Sequence, residues 1–347
     1  MNLNIDRLKS VLPQKSSKDS CESFLKDICG FIKNFDGILR KKPIADISKS
    51  FERVRLSYEN CVEDIGDDAA IIDINTDKYL LLAADGIWGR LIEKSPWWAG
   101  YASVVSNIND IYAMGGKPLA MVDIVSSGSE DSIKQIMEGM AEGVFKFNVP
   151  VVGGHTHPDP GPNSVSVAIL GIVDKKCVIK SSTANIGDNV IAAFDLDGRT
   201  GPNSVYSWEN TSHKTPESLK KLYGSVEILG EKKLVTAGKD ISNPGILGTL
   251  GMLCEVSNCG ATVEIEKIPY PKNSEISVEN WLVIHPGTGF IFTAKPENTK
   301  ECIKILNEAG FEAEKIGKIT ENKKLNLFYN DCTETLFDFN KESITGL

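Results

Sequence analysis

No apolar run in this 347-residue chain approaches the ~20 residues needed to span a bilayer. The opening Met1-Asn2-Leu3-Asn4-Ile5-Asp6 lacks the apolar stretch of a signal peptide. Positive charge is also short: 38 Lys and Arg against 47 Asp and Glu give a net charge of −9, which argues against a general nucleic-acid binder. The eight cysteines, at 21, 29, 61, 177, 254, 259, 302 and 332, never form C-x-x-C, so neither a zinc ribbon nor a redox pair is indicated. They read as reduced thiols of a cytoplasmic protein, most of them small core residues. There is no Walker A loop, no G-x-G-x-x-G in a βαβ unit and no G-x-S-x-G elbow, so a nucleotide site has to be of another kind.

What is present is an ordinary globular composition, 41% hydrophobic and 24% charged, long enough for two domains with proper cores. Its most informative stretch is Gly66-Asp67-Asp68-Ala69-Ala70. Two later acids belong with it. Asp85 follows the apolar run Tyr79–Ala84, and Asp110 closes Ser106-Asn107-Ile108-Asn109-Asp110. Acids at the ends of apolar segments are costly to bury without a cation or donor. Brought together they repel, unless a divalent ion neutralises them, and hard carboxylate oxygens suit Mg²⁺ bound with phosphates. The sequence therefore suggests a Mg-nucleotide site. The plainer alternative is that these acids are caps and turn residues.

Taken in order, residues 1–60 read as a helical, partly detachable arm, with apolar residues at helical spacing between Ser20 and Phe35. A basic, Pro-terminated linker, Gly37 to Ile44, follows. Its Arg40, Lys41 and Lys42 are either a solvated charge run or cations carried to phosphates. Residues 61–178 read as a first α/β domain. It has strands at Ala69–Asp73, Tyr79–Ala84, Leu119–Val125, Val149–Val152 and Val165–Val173, and helices at Pro96–Met114 and Ser129–Phe147. Residues 185–335 read as a second. There the expectation is a strand at Asn189–Phe194, helices at Pro216–Tyr223, Gly224–Ala237, Ile246–Ser257 and Glu297–Ala309, and strands at Cys259–Ile265, Trp281–His285 and Gly289–Phe292. Ala313–Ile319 with Leu325–Tyr329 would make a closing hairpin.

Two loops carry further chemistry. Gly153-Gly154-His155-Thr156 follows a strand, where glycines admit close approach of phosphate oxygens. His155 and His157 share one face of an extended segment, open to zinc, to hydrogen bonding with phosphate or substrate, or to a structural role. Asp240-Ile241-Ser242-Asn243-Pro244-Gly245 precedes a helix. Ser242 or Asn243 serves as its N-cap, or the helix start faces an anion with Asp240 available to a second metal.

The ordered set resembles the superfamily of aminoimidazole ribonucleotide synthase, selenophosphate synthase, thiamine-monophosphate kinase and a hydrogenase maturation protein. It comprises Gly66-Asp67-Asp68-Ala69-Ala70, Ala83-Ala84-Asp85, Asn107-Ile108-Asn109-Asp110 with Met114-Gly115-Gly116-Lys117-Pro118, Gly153-Gly154-His155-Thr156 and Asp240-Ile241-Ser242, over about residues 60–330. The arm bearing Arg40-Lys41-Lys42-Pro43-Ile44 resembles the methanogenesis marker protein 2 group. The resemblance implies an α+β fold of two domains, each a mixed sheet covered by helices, dimerising through the N-terminal domain sheets. It also implies ATP, several Mg²⁺ ions and sites at the subunit interface of a homodimer. Carried over, Asp67, Asp68, Asp85, Asp110 and Asp240 would serve the metals, and Asp85, Asp110 and His155 the chemistry. Gly153, Gly154, His155, Ser242, Arg40 and Lys42 would meet the nucleotide. Departures narrow the choice: His155 stands where thiamine-phosphate kinases usually have Asp, Asn243-Pro244 replaces Asp-Gly, and Thr288-Gly289-Phe290-Ile291 replaces an acidic Asp-Tyr-Glu-Leu. The expected function is an ATP- and Mg-dependent phosphotransferase or synthase acting on a small metabolite. The alternatives are a non-catalytic ATP-binding assembly or regulatory factor, or a His155/His157 metal hydrolase.

Overall fold

The computed structural model describes residues 8–12, 18–55, 57–63, 65–158, 161–201, 204–271 and 274–347. Parts of the expected arm and of the loops at 195–203 and 268–280 lie outside the described residues. In chain order come α1 (Lys18–Lys33), α2 (Asp36–Leu39), α3 (Ile44–Arg55), β1 (Cys61–Glu63), β2 (Ala70–Asp73), β3 (Lys78–Ile87), α4 (Gly89–Lys94), α5 (Pro96–Ala113), β4 (Lys117–Ser126), α6 (Glu130–Phe147), β5 (Val151–His157) and β6 (Ser164–Asp174). The second half continues β7 (Asn189–Phe194), β8 (Arg199–Thr200), β9 (Ser207–Glu209), α7 (Pro216–Glu231), β10 (Ala237–Asp240), α8 (Gly245–Val256), β11 (Gly260–Glu264) and α9 (Val278–Leu282). It closes with β12 (His285–Pro286), β13 (Gly289–Ala294), α10 (Thr299–Ala309), β14 (Glu312–Thr320), β15 (Lys324–Tyr329) and β16 (Cys332–Asp338).

The strands form a six-stranded sheet of order β1-β2-β3-β6-β4-β5 and a seven-stranded sheet of order β10-β13-β7-β14-β11-β15-β16. Each is mixed, with β4–β5 and β11–β15 the parallel pairs. A small β12-β9-β8 sheet accompanies them. Strand alternation decides what faces the helices. Leu81, Ala83, Val167, Ile169, Met121 and Val125 are buried in a core shared with Val104, Ile108 and Ile111 of α5. The opposite face is apolar too, but exposed: Leu82, Val122 and Ile124 keep 45%, 45% and 52% of their surface.

Helices α5 and α6 touch backbone to backbone at glycines. A Cβ on Gly100 would fall 2.0 Å from the Ile136 carbonyl oxygen, and one on Gly139 1.9 Å from that of Trp97. Ser129 caps α6, its hydroxyl accepting from Ser132 N at 3.2 Å. Pro96 opens α5 as the sequence suggested, though the Ser95 side chain makes no capping bond.

Several sequence expectations are corrected. Gly153-Gly154-His155-Thr156 is not a loop: β5 runs through it, paired to β4 with Asp123 opposite Gly154 and Ile124 opposite His155. The two helices expected on either side of Gly224 are one, because Gly224 sits inside α7 without breaking it. Of the stretch Trp281–His285, expected as a strand, Trp281 and Leu282 end α9, which Ser277 caps through Asn280 N, and only His285 is extended, opening β12. Strands β14 and β15 are not a hairpin; β11 lies between them, and β15 turns back onto β16. Apolar alternation identifies a strand but does not name its neighbour.

Helix α1 is docked on the second domain. Its Cys21, Leu25, Ile28, Cys29 and Ile32 are buried in the same core as Leu327, Cys332 and Leu336. The expected linker after it, Gly37 to Ile44, runs from α2 through a turn at 40–43 into the start of α3.

Candidate functional site

The two domains meet at a cluster of acids. Asp68 lies in the bend before β2, Asp110 in the last turn of α5, and Asp240 at the end of β10. One carboxylate oxygen from each lies within 4.8 Å of the others. Helix α5 is held in place beside Asp110 by Asn109. Its Oδ1 accepts from Tyr223 Oη at 2.6 Å, and its Nδ2 donates to the Gly287 carbonyl. Asp68 is oriented on both oxygens: Lys239 Nζ contacts Oδ1, and Asp240 N donates to Oδ2 at 3.1 Å.

The acids press on one another even with Lys239 among them. Burial, and then the charges of Asp85, Asp240 and Asp68, push Asp110 well above the usual carboxylate range. Burial and Asp68 do the same to Asp240. Burial alone would lower Lys239, but Asp68, Asp67 and Asp240 outweigh it and hold its ammonium above its ordinary value. Clustered like charges that drive their own protonation are relieved by a small hard cation. Three hard oxygen donors gathered together are of the kind that suits a small divalent ion such as Mg²⁺.

The other predicted residues fall in distinct places. Asp67 is not one of the three. Its Oδ1 accepts from Asp68 N and its Oδ2 from Ser181 N, both at 2.9 Å, and burial lifts its carboxyl to about 6. Asp85, on β3, lies beside the cluster with an edge open to solvent. Surrounding protein raises its carboxyl, while Lys41 and a hydrogen bond from Ser106 oppose the rise. Ser242 is not a helix cap; Pro244 takes the N-cap position without a side-chain bond. Ser242 N instead donates to Thr249 Oγ1 at 3.2 Å.

From the basic run it is Lys41 that reaches the cluster. Its Nζ donates to Ser242 Oγ at 3.4 Å. Burial and then Lys239 lower its pKa, against the pull of Asp85, Asp240 and Asp68. Gly37 makes this approach possible, since a Cβ there would fall 2.1 Å from the Asn243 carbonyl oxygen. Arg40 instead lies over the Trp88 ring, 4.7 Å from its centroid, and Lys42 is exposed. Sequence reasoning named Arg40 and Lys42 rather than Lys41 as the nucleotide contacts, and passed over Lys239. The available signal for Lys239 was its neighbour Asp240, since a buried lysine demands a counter-ion.

Gly153, Gly154 and His155 are not brought to the acids within one chain. Strand β5 is the outer strand of its sheet, three positions from β3, roughly 14 Å at ordinary strand spacing. His155 and His157 are exposed, their ring centroids 4.3 Å apart.

A two-domain α+β protein with a mixed, helix-covered sheet in each half and a carboxylate cluster between them is the class these observations define. The pattern of the AIR synthase related protein N-terminal domain matches residues 66–173 and that of the C-terminal domain residues 178–330; the chain belongs to this family. It is 45% identical over 323 residues to an uncharacterised protein of Methanocaldococcus jannaschii, covering 93% of this chain and 99% of that one. It is 26% identical over 295 residues to the selenide, water dikinase of Carboxydothermus hydrogenoformans, covering 74% and 84%. Among solved structures it is similar in fold to PurL of T. maritima complexed with ATP, with a TM-score of 0.70 at 17% identity. That match covers 85% of this chain but only 48% of the PurL chain.

Proposed function

We propose that this protein is an ATP- and Mg-dependent phosphotransferase or synthase acting on a small metabolite. The observation that carries the reading is the convergence of Asp68, Asp110 and Asp240 to within 4.8 Å at the domain junction. A divalent ion held there would neutralise the charge of bound phosphates during transfer. Asp85 flanks the ion site and orients what binds it. Lys41 offers an ammonium from a separate element to a terminal phosphate, and Ser242 a hydroxyl beside it. The kinase and ATP-bound PurL relatives support this reading.

The reading includes a homodimer. The exposed apolar face of the first sheet, Leu82, Val122 and Ile124, suits a second copy, and His155 shares the face of Ile124 across the β4–β5 ladder. Pairing of these sheets carries β5, with Gly153, Gly154 and His155, toward the partner's acids and completes a nucleotide site between subunits. A cytoplasmic location accords with this chemistry, and among the described residues no helix is long and apolar enough to cross a membrane.

The test is calorimetric titration of a non-hydrolysable ATP analogue with and without Mg²⁺, into the parent and Asp110→Asn. Mg-dependent binding that Asp110→Asn weakens supports the proposal; equal binding in both proteins refutes it. ATP bound tightly by the parent, yet turned over with no small acceptor, would instead favour a nucleotide-binding assembly or regulatory factor.

A further inference from the structure

The basic side chain buried most deeply against the acids is Lys239, and it has no part in the reaction outlined above. It projects from β10, the outer strand of the second domain's sheet, across to Asp68 of the first. Only 8% of its side chain and 3% of that of Asp68 are exposed. Asp67 and Asp240 also act on its charge. A lysine this enclosed keeps its ammonium only where negative charge surrounds it. Here the surrounding charge is that of the candidate metal ligands.

We infer that Lys239 is a resident cation that takes the place of one divalent ion, so the cluster loads fewer ions than its carboxylates alone would admit. This inference rests on the metal-nucleotide reading above. An ammonium in contact with Asp68 Oδ1 repels a further ion from that oxygen. The second oxygen of Asp68 is meanwhile fixed by Asp240 N, so the carboxylate is aimed before any ion arrives. Being tethered, the ammonium costs no ion-binding entropy and cannot be removed by a chelator. It also joins the domains, since Asp68 and Lys239 lie 171 residues apart.

The test uses the full chain and Mn²⁺ as a spectroscopic stand-in for Mg²⁺. Free Mn²⁺ is counted by electron paramagnetic resonance, with and without a non-hydrolysable ATP analogue, and melting temperature is followed in parallel. In chelator, Lys239→Met and Lys239→Gln should melt below the parent. In Mn²⁺ they should recover, binding about one further ion per chain, because the vacated position now offers carboxylates at ion-binding spacing. A purely structural lysine would give a loss of melting temperature that Mn²⁺ does not restore. That result, or an unchanged ion count, overturns the inference. Variants that stay insoluble in millimolar Mn²⁺ count against it as well, since the ion should replace the missing charge. A parent that binds Mn²⁺ with the analogue, while neither variant gains an ion, refutes the resident-cation role alone. A parent that binds neither ion nor analogue refutes the underlying site.

Discussion

Replacing Asp110 by Asn should change the sign of its effect with the contents of the solution. The side chain keeps its shape and loses its charge. Two unit charges no more than 4.8 Å apart repel by roughly 3–4 kcal/mol or more at an effective dielectric of about 20. Asp110 already escapes part of this by holding a proton to unusually high pH, so the relief on substitution is smaller, about 1–2 kcal/mol. A carboxyl whose pKa is raised on folding contributes stability at low pH that is lost as pH rises through the folded value. The parent's deficit is therefore largest in alkaline, metal-free buffer. With Mg²⁺ and nucleotide the balance inverts. Loss of an anionic ligand should weaken ion binding about 100-fold or more, removing about 2.7 kcal/mol of linked stabilisation. Denaturant unfolding at pH 8, once in EDTA and once in Mg²⁺ with an ATP analogue, reads both effects. Asn should gain stability in the first and lose it in the second. A variant weakened equally in both would show that Asp110 is a structural acid, and the cation argument would fail with it.

Other expectations follow from single contacts. Gly154→Ala should cost about 1–3 kcal/mol, because its Cβ would fall 2.2 Å from Asp123 Oδ1, whereas Gly153→Ala meets nothing closer than 3.9 Å and should be nearly neutral in thermal melts. Burial raises Asp195 to about 7, so its contribution is full below pH 4 and disappears as pH climbs through 7. Asp195→Asn should flatten that slope in melting temperature between pH 5 and 8. Glu255 accepts from Ile344 N, Thr345 N, Gly346 N and Thr345 Oγ1 at 2.6–3.1 Å. Glu255→Ala should cost about 1–3 kcal/mol and speed amide exchange at residues 344–346.

Much of the first domain was legible because its signals are local. The apolar run Tyr79–Ala84 and the proline-started helix at Pro96 are such signals; the strand formed with longer ends, as Lys78–Ile87, and the helix as Pro96–Ala113. Partners across space were not legible. Nothing in Leu325–Tyr329 distinguishes pairing with β14 from pairing with β16. At the site, Asp68 and Asp110 could be singled out because charge beside apolar segments is expensive, and Asp240 because it stands before a helix start. Within Arg40-Lys41-Lys42, however, the residue that turns inward is fixed by how α2 packs on Asn243, a contact between distant segments. Strand β5 defeated the reading differently. Gly-Gly suggested a turn, yet pairing with β4 holds the segment extended.

Docking of α1 sets a timetable for synthesis. Cys21 donates to the carbonyl of Tyr329, 308 residues downstream. A ribosome adding ~5–20 residues per second delivers that partner roughly 15–60 s after the helix emerges. For that interval the stripe of Leu25, Ile28 and Ile32 lacks the cover that β15 and β16 give it in the folded protein. The strands that shelter this helix are thus made long after it.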